Sequence, residues 1–275
     1  KGLERNGNPW GIGYDKRADW AEGLDVKTMA EDSDVDYLLW VGCAGSFDDR
    51  TKKVSTALVK ILQKAGISFA ILGTEEKCTG DFARRVGNEM LYQMMAEENI
   101  ETLNSYNVKK IIAACPHCLN TLQNEYPQKG GNYAVIHHTE FIDQLVKAGK
   151  IKLNPTLEGA LTYHDPCYLG RYNNVFDQPR ALLRSVSKDG FKELERCGQE
   201  SFCCGAGGGR MWMEETIGKR IYLERTEEIV RQDVSNVAVG CPFCLTMVED
   251  GMKELGKEEG IKTWDIAELV AENMG

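Results

Sequence analysis

Nine cysteines fall into two ordered sets. Cys43, Cys78, Cys115 and Cys118 form the first, and Cys167, Cys203, Cys204, Cys241 and Cys244 the second. Thiolates are soft ligands, and four of them suit either tetrahedral zinc or a [4Fe–4S] cluster. Zinc sites usually draw on two close CxxC pairs. Here each set has one CPxC pair and further thiols from distant segments, which favours iron–sulfur. The second set offers five thiols, one more than a cubane or a zinc ion needs. Adjacent Cys203 and Cys204 cannot easily meet the same metal atom, but they could hold two different irons of an opened cluster.

Three other uses of these residues fit less well. Disulfide frameworks belong to small, loop-rich secreted domains, whereas this chain of 275 residues and ten cysteines has long helical patterns and no secretory signal. Thioredoxin-type dithiols would explain the CPxC pairs and nothing else. The run from Gly205 to Arg210 looks like a dinucleotide loop, but that fingerprint needs glycine where Arg210 stands. The glycines have a different use here. Gly205, Gly207 and, in the first set, Gly80 let backbone N–H groups approach cluster sulfides closely.

The two sets are copies of one unit. Cys167 follows Cys43 by 124 residues, Cys203 follows Cys78 by 125, and Cys241 and Cys244 follow Cys115 and Cys118 by 126 each. The intervening residues agree as well: CPHCL matches CPFCL, and CTG matches CCG with Thr79 opposite Cys204. Such internal periodicity organises the whole fold.

Each unit alternates strands and helices. In the first, YLLWVG (Tyr37–Gly42) is a strand, Val54, Leu58, Ile61, Leu62 and Ala65 mark a helix, and ISFAIL (Ile67–Leu72) is the next strand. A long helix over Ala83–Leu103, a strand at Lys110–Ala114, YAVIHH and a helix over Glu140–Ala148 follow. The second unit runs through ALTYHD, a helix near Pro179–Val186, a long helix over Glu214–Arg231, NVAVG and a helix over Asp265–Met274. This alternation predicts an α/β fold of two pseudo-symmetric lobes, each a mostly parallel sheet flanked by helices. The expected limits are 1–34 for an N-terminal arm packed on the lobes or docked on a neighbour, 35–150 for the first lobe and 151–275 for the second.

In both units the cysteines follow strand ends, where ligands of parallel sheets bind, so each set should converge on one point. Pro116 and Pro242 suit the first turn of a helix, which puts both thiols of each CPxC pair on one side. Apolar residues make up 42% of the chain and charged residues 27%, ordinary values for a globular protein. A net charge of −9 argues against nucleic acid and against anionic lipid. No apolar run reaches the roughly 18 residues of a spanning helix. The chain begins with Lys-Gly rather than Met, which reads as a processed protein or a piece of a longer one. A cytoplasmic place is expected, or one at the cytoplasmic face of a membrane through a missing region or partner.

The doubled pattern of one cysteine, CCG and CPxC, each about 35 residues apart, resembles the CCG cysteine-rich domain found in the B-type component of heterodisulfide reductase. It is also similar to iron–sulfur oxidoreductases acting on glycolate, lactate and glycerol-3-phosphate. The resemblance covers roughly residues 36–273. It implies a non-cubane [4Fe–4S] cluster on Cys167, Cys203, Cys204, Cys241 and Cys244. The first set lacks the fifth thiol at Thr79, so a conventional [4Fe–4S] cluster, a variant non-cubane one and zinc all stay open there. NPWG, RADW, CTGDFARRVGNE and HHTEF look like a subset of larger fusions that carry a ferredoxin-like region and often a membrane segment. Those are linked to electron-transfer flavoprotein and quinone.

Histidines stand beside both sets. His164 precedes Pro166-Cys167 and His117 lies inside CPHC; either could supply a proton or hydrogen bond, as cleaving a disulfide between two clusters requires. The rival role for His164 and Asp165 is to cap a strand end. His137 and His138 are expected to pack at a strand end, Arg171 and Arg210 to balance cluster charge or lie in solvent, and Cys197 to be a buried thiol. The implied function is that of an iron–sulfur oxidoreductase, as a whole component or a domain. It would carry electrons from a flavoprotein or ferredoxin-type donor to a quinone-linked partner or a disulfide. The alternative is a zinc- or cluster-bearing module that only scaffolds a larger redox complex.

Overall fold

The computed structural model describes residues 2–275. The chain divides into two compact units, residues 1–141 and 142–275. Each holds a four-stranded, all-parallel sheet. No helix among the described residues is long and apolar enough to cross a membrane.

In the first unit a short helix, α1 (Gly2–Asn6), precedes β1 (Tyr37–Trp40), α2 (Gly42–Phe47), α3 (Asp49–Lys64) and β2 (Phe69–Ala70). Then come α4 (Asp81–Arg85), α5 (Glu89–Ser105), β3 (Lys110–Ala113), α6 (Pro116–Asn120), β4 (Ala134–His137) and α7 (His138–Lys147), which crosses into the second unit. The sheet order is β2-β1-β3-β4. The chain steps from β1 outward to β2, then returns across β1 to β3. The order therefore reverses between β1 and β3, and a crevice opens at the carboxyl ends of those two strands. Cys43 follows β1 and Cys115 follows β3.

The second unit contains β5 (Leu161–Tyr163), α8 (Asp177–Val186), β6 (Phe191–Lys192), α9 (Ile221–Arg231), β7 (Asn236–Val239), α10 (Pro242–Glu254), β8 (Lys262–Asp265) and α11 (Ile266–Asn273). Its order, β6-β5-β7-β8, is the same path. The reversal again falls between the strand before Cys167 and the strand before Cys241. Leu161, Tyr163, Val237, Ala238 and Val239 are fully buried, as strands covered on both faces by helices must be.

Several expectations need correction. The single helix expected over Ala83–Leu103 is two. Gly87 takes a φ of +86° and Asn88 caps α5 by accepting from the Leu91 N–H, so one helix stops and another starts. The helix expected over Glu214–Arg231 begins only at Ile221. Gly218 has a φ of +70° and Ile217 is 93% exposed, so nothing buries an earlier turn. β2 covers only two residues of ISFAIL, and Ile71 instead bridges Thr28 of the N-terminal segment. That segment is anchored in the first unit: Leu3, Trp20 and Met29 are buried in its core, and Arg17 is 2% exposed. His137 and His138 do lie at a strand end, both fully buried with rings 4.2 Å apart.

Candidate metal centres

None of the ten cysteines is in a disulfide. The first four meet at the crevice of the first unit. Cys43 lies in the first turn of α2, directly after Gly42, whose φ of +79° turns the chain sharply out of β1. Cys115 caps α6 with Pro116 at its first position, as the CPxC pattern predicts, and Cys118 lies one turn on. Cys78 sits in the loop after β2. Its thiol hydrogen-bonds to Cys43, and that of Cys118 to Cys115. A methyl group at Gly42 would stand 3.4 Å from Cys118 Sγ, an ordinary contact, so it is the positive φ more than lack of space that favours glycine there.

The five cysteines of the second unit form one connected chain of thiols. Cys167 bonds to Cys203, Cys203 to Cys204, Cys204 to Cys244, and Cys244 to Cys241. The Cys204 and Cys244 sulfurs are 3.3 Å apart, well beyond the length of a disulfide bond. His164 completes the cluster: one of its ring nitrogens and the sulfurs of Cys204 and Cys244 all lie within 4.8 Å of one another.

Within each set the thiols share charge unequally. The hydrogen bond from Cys78 and the charge of Arg17 bring Cys43 down to about 7 against the opposing effect of burial. Hydrogen bonds from Cys167 and Cys204 hold Cys203 far below the usual thiol range. Cys78, Cys118, Cys167, Cys204 and Cys244 are pushed up by bonding to a neighbouring sulfur and by burial. Crowded thiolates repel, so the sets cannot ionise fully without added positive charge. Metal ions provide that charge and displace the protons.

Two glycines behave alike in the two lobes. Gly80 and Gly205 donate their N–H groups to the sulfur two residues earlier, at 3.3 Å for Gly205 to Cys203 Sγ. Their φ values are +87° and +90°. Gly207 differs: its φ is not in the left-handed region and a methyl group would meet nothing within 4 Å. Gly205→Ala should therefore destabilise the protein by about 1–2 kcal/mol. It meets both an unfavourable φ and Ile221 Cβ at 3.1 Å. Gly207→Ala should stay within about 0.5 kcal/mol of the parent. Thermal melts of the two variants would contradict this if their midpoints fell equally.

His164 is held by a residue that carries no motif of its own. The Nε–H of Arg225 donates to His164 Nδ1 at 2.9 Å. Guanidinium has only donors, so Nδ1 must carry a lone pair, and the proton of the neutral ring sits on Nε2. Burial, then the charge of Arg225, push His164 well below its ordinary value. The ring is a fixed neutral donor, which suits a hydrogen bond to sulfur and opposes a role as proton source. Arg225 is itself fully buried, paired with Glu228 at 3.0 Å, and donates to the Arg196 carbonyl.

His117 is placed differently. It is paired with Asp81 through Nδ1 at 3.0 Å, and Asp81 also binds Arg85. Burial works against the Asp81 charge, and His117 and Arg85 more than offset it. By the repeat, His117 corresponds to Phe243 and His164 to Trp40, so the two histidines are not counterparts.

A carboxylate ties the first and second cysteine segments together in each lobe, from opposite sides. In the first lobe Glu76, just before Cys78, accepts from the N–H groups of Val41 and Gly42 at 2.9 and 2.8 Å. In the second lobe Asp165, at the place of Val41, accepts from the Gly198 N–H at 2.9 Å, and Ser201, at the place of Glu76, donates to the Asp165 carbonyl at 3.0 Å. Each latch carries an arginine: Arg17 on Glu76 and Arg180, through two bonds, on Asp165. Sequence spacing could have pointed to Glu76 and Asp165, since both lie within three residues of a cysteine. Arg171 donates to the Ser201 carbonyl, whereas Arg210 is exposed and paired with Glu215. Cys197 is half-buried in a loop beside Glu193, contrary to the expected buried thiol.

The donor sets fit a thiolate-bound metal cluster. Each has a buried donor without a partner, Arg17 Nε in the first and His164 Nε2 in the second. Buried donors are costly to leave unmatched, and anionic sulfur would accept from both.

The Cysteine-rich domain model of the CCG family matches residues 37–123 and 161–249. The chain is 48% identical over 280 residues to the EtfAB:quinone oxidoreductase of Syntrophomonas wolfei, covering 98% of this chain and 39% of that protein. It is 46% identical over 279 residues to the probable iron-sulfur-binding oxidoreductase FadF of Bacillus subtilis, covering 99% and 40%. It is 32% identical over 274 residues to the D-type component of the dihydromethanophenazine:CoB–CoM heterodisulfide reductase of Methanosarcina mazei, covering 98% and 65%. The chain thus spans about two fifths of the length of the first two relatives.

Proposed function

The chain belongs to the CCG cysteine-rich domain family, among whose members are iron–sulfur oxidoreductases, and from that premise we propose that it carries one iron–sulfur centre in each lobe and passes electrons through them. The observation that carries this reading is the convergence of nine thiols, none in a disulfide, at two equivalent sheet crevices. Cys167, Cys203, Cys204, Cys241 and Cys244 would hold a non-cubane [4Fe–4S] cluster. Cys43, Cys78, Cys115 and Cys118 would hold a [4Fe–4S] cluster. When bound, such clusters supply one-electron carriers whose potentials answer to charge, hydrogen bonds and burial. The protein's own part is to bring the thiols together, to direct the Gly80 and Gly205 N–H groups at sulfur, and to hold His164 Nε2–H as a neutral donor.

The relatives support a reading of the donor and the acceptor. The 48% identity to an oxidoreductase named for EtfAB and quinone supports a flavoprotein of electron-transfer type as donor and a quinone-linked acceptor. Access to quinone would come through parts outside these residues, at the cytoplasmic face of a membrane, with a ferredoxin-like domain between. A disulfide substrate is the second reading. It is supported by the heterodisulfide reductase relative, which is the D-type component of that enzyme and not the B-type component. The full chain, produced with cluster-assembly proteins and purified without oxygen, should hold about eight irons with matching sulfide. Reduced electron-transfer flavoprotein should bleach its visible absorption. About four irons with one zinc would confine redox work to the second lobe. Zinc alone would overturn the proposal in favour of a structural module.

A further inference from the structure

Arg17 precedes every strand of the fold, yet its side chain ends inside the first thiol set. Nη1 donates to Cys43 Sγ at 3.6 Å and Nη2 to Glu76 Oε1 at 2.5 Å. Nε is buried without a partner, and Cζ lies 5.5 Å above the Phe47 ring. Glu76 in turn holds the backbone that leads into Cys43. The guanidinium is therefore fixed on three sides in a site closed to water.

The second lobe solves the same problem differently. The repeat puts Arg171 where Phe47 stands, and that arginine is exposed at the surface. The latch arginine there, Arg180, has every donor engaged by Asp165, Glu193 and the Phe176 carbonyl. What faces Cys204 and Cys244 is the neutral His164. So the first set has four thiols, one of them bonded directly to the guanidinium of a buried Arg17–Glu76 pair, and the second has five thiols with an uncharged donor.

Charge decides what this does. Reduction adds an electron to an already anionic centre. A fixed cation bonded to one of its sulfurs favours the reduced form, and in a water-free site the effect far exceeds that of a surface charge. We propose that Arg17 is a positioning residue of the first centre that raises its reduction potential above that of the same thiols alone, so that the N-terminal segment is part of a redox site and the two lobes work at different potentials. This rests on the reading of the first set as an iron–sulfur site.

The test is an anaerobic redox titration followed by EPR on the full chain, with iron and sulfide counted, for the parent, Arg17→Met, Arg17→Gln and Arg17→Lys. Signals are assigned to the lobes with the Cys204→Ser protein. Arg17→Met should lower the reduced-to-oxidised ratio of the first centre at a fixed poise about tenfold, which is about 59 mV for one electron. Arg17→Lys should recover part of that shift, and the second centre should not move. Arg17→Gln, uncharged but able to donate, should behave like Arg17→Met. A first centre that keeps its potential in the Met and Gln variants overturns the inference and leaves the proposed function standing. A first site that loads iron in the parent but in none of the variants overturns it too, making Arg17 structural. Zinc, or no metal, in the first site of the parent overturns the reading on which the inference rests.

Discussion

Cys204→Ser should abolish the iron–sulfur signal proposed for the second lobe and leave that of the first intact. Cys204 is 4% exposed and sits at the middle of the thiol chain, in contact with both Cys203 and Cys244. A serine there keeps the volume and removes the soft donor, and a hydroxyl is a poor substitute for a thiolate on iron. Even loss of a residue that only supports a ligand costs 10–100-fold in metal affinity or activity, so loss of a ligand should exceed that. The reciprocal change is Thr79→Cys in the first lobe. Thr79 is 1% exposed, and its carbonyl accepts from the Tyr126 hydroxyl at 3.0 Å, a backbone bond that the substitution leaves in place. The added thiol stands where Cys204 stands in the other copy, and it should shift the first-lobe EPR spectrum towards that of the second lobe. An unchanged second-lobe spectrum in Cys204→Ser would refute the five-thiol assignment.

The second large effect is on stability. Arg225→Met leaves Glu228, 1% exposed, without one of its two cations and strips His164 Nδ1 of its donor. Breaking a buried ion pair costs roughly 3–5 kcal/mol. Arg196 remains on Glu228 at 2.7 Å, which puts the expected loss at the lower end of that range. For a unit of this size it corresponds to a fall of about 10 °C in the melting temperature. The double change Arg225→Met with Glu228→Gln should recover part of it, because no carboxylate is then left buried beside a missing cation and Arg196 can turn to solvent. Calorimetry on the four proteins of the cycle measures the coupling directly. A single Arg225→Met protein as stable as the parent would show that the pair contributes nothing.

Much of this architecture is legible in the chain. The 124–126 residue offset between the cysteine sets exposes the duplication, and short apolar runs ending at Cys43, Cys115, Cys167 and Cys241 mark the strands whose ends carry the thiols. Proline after the first cysteine of each CPxC marks the helix start because it needs no N–H there. Helix limits are less legible. Ala83–Leu103 and Glu214–Arg231 both show helical periodicity, but Gly87 and Gly218 interrupt them, and a glycine inside a pattern does not announce whether it is tolerated or adopts a positive φ.

The residues that support the thiols are the least legible. RADW stands out as a motif, yet nothing adjacent to Arg17 hints that it reaches Cys43, 26 residues on. Arg225 looks like an ordinary charged position on an amphipathic helix, and His164 lies 61 residues away. Long side chains bury their charge wherever a distant partner awaits, and pairing between segments leaves no local period.

By itself, the sequence determined the doubled α/β plan, the two thiol sets, the missing fifth thiol at Thr79 and the presence of Gly80, Gly205 and Gly207 beside the thiols. These depend on spacing, on strand and helix periods and on the chemistry of single residues, which are local properties. Only the tertiary structure decided that Arg17 enters the first set, that Glu76 and Asp165 latch the loops from opposite sides, and that Arg225 fixes His164 as a neutral donor. Those outcomes depend on which charges share a dry interior, and electrostatic pairing there is set by distance in space, not along the chain.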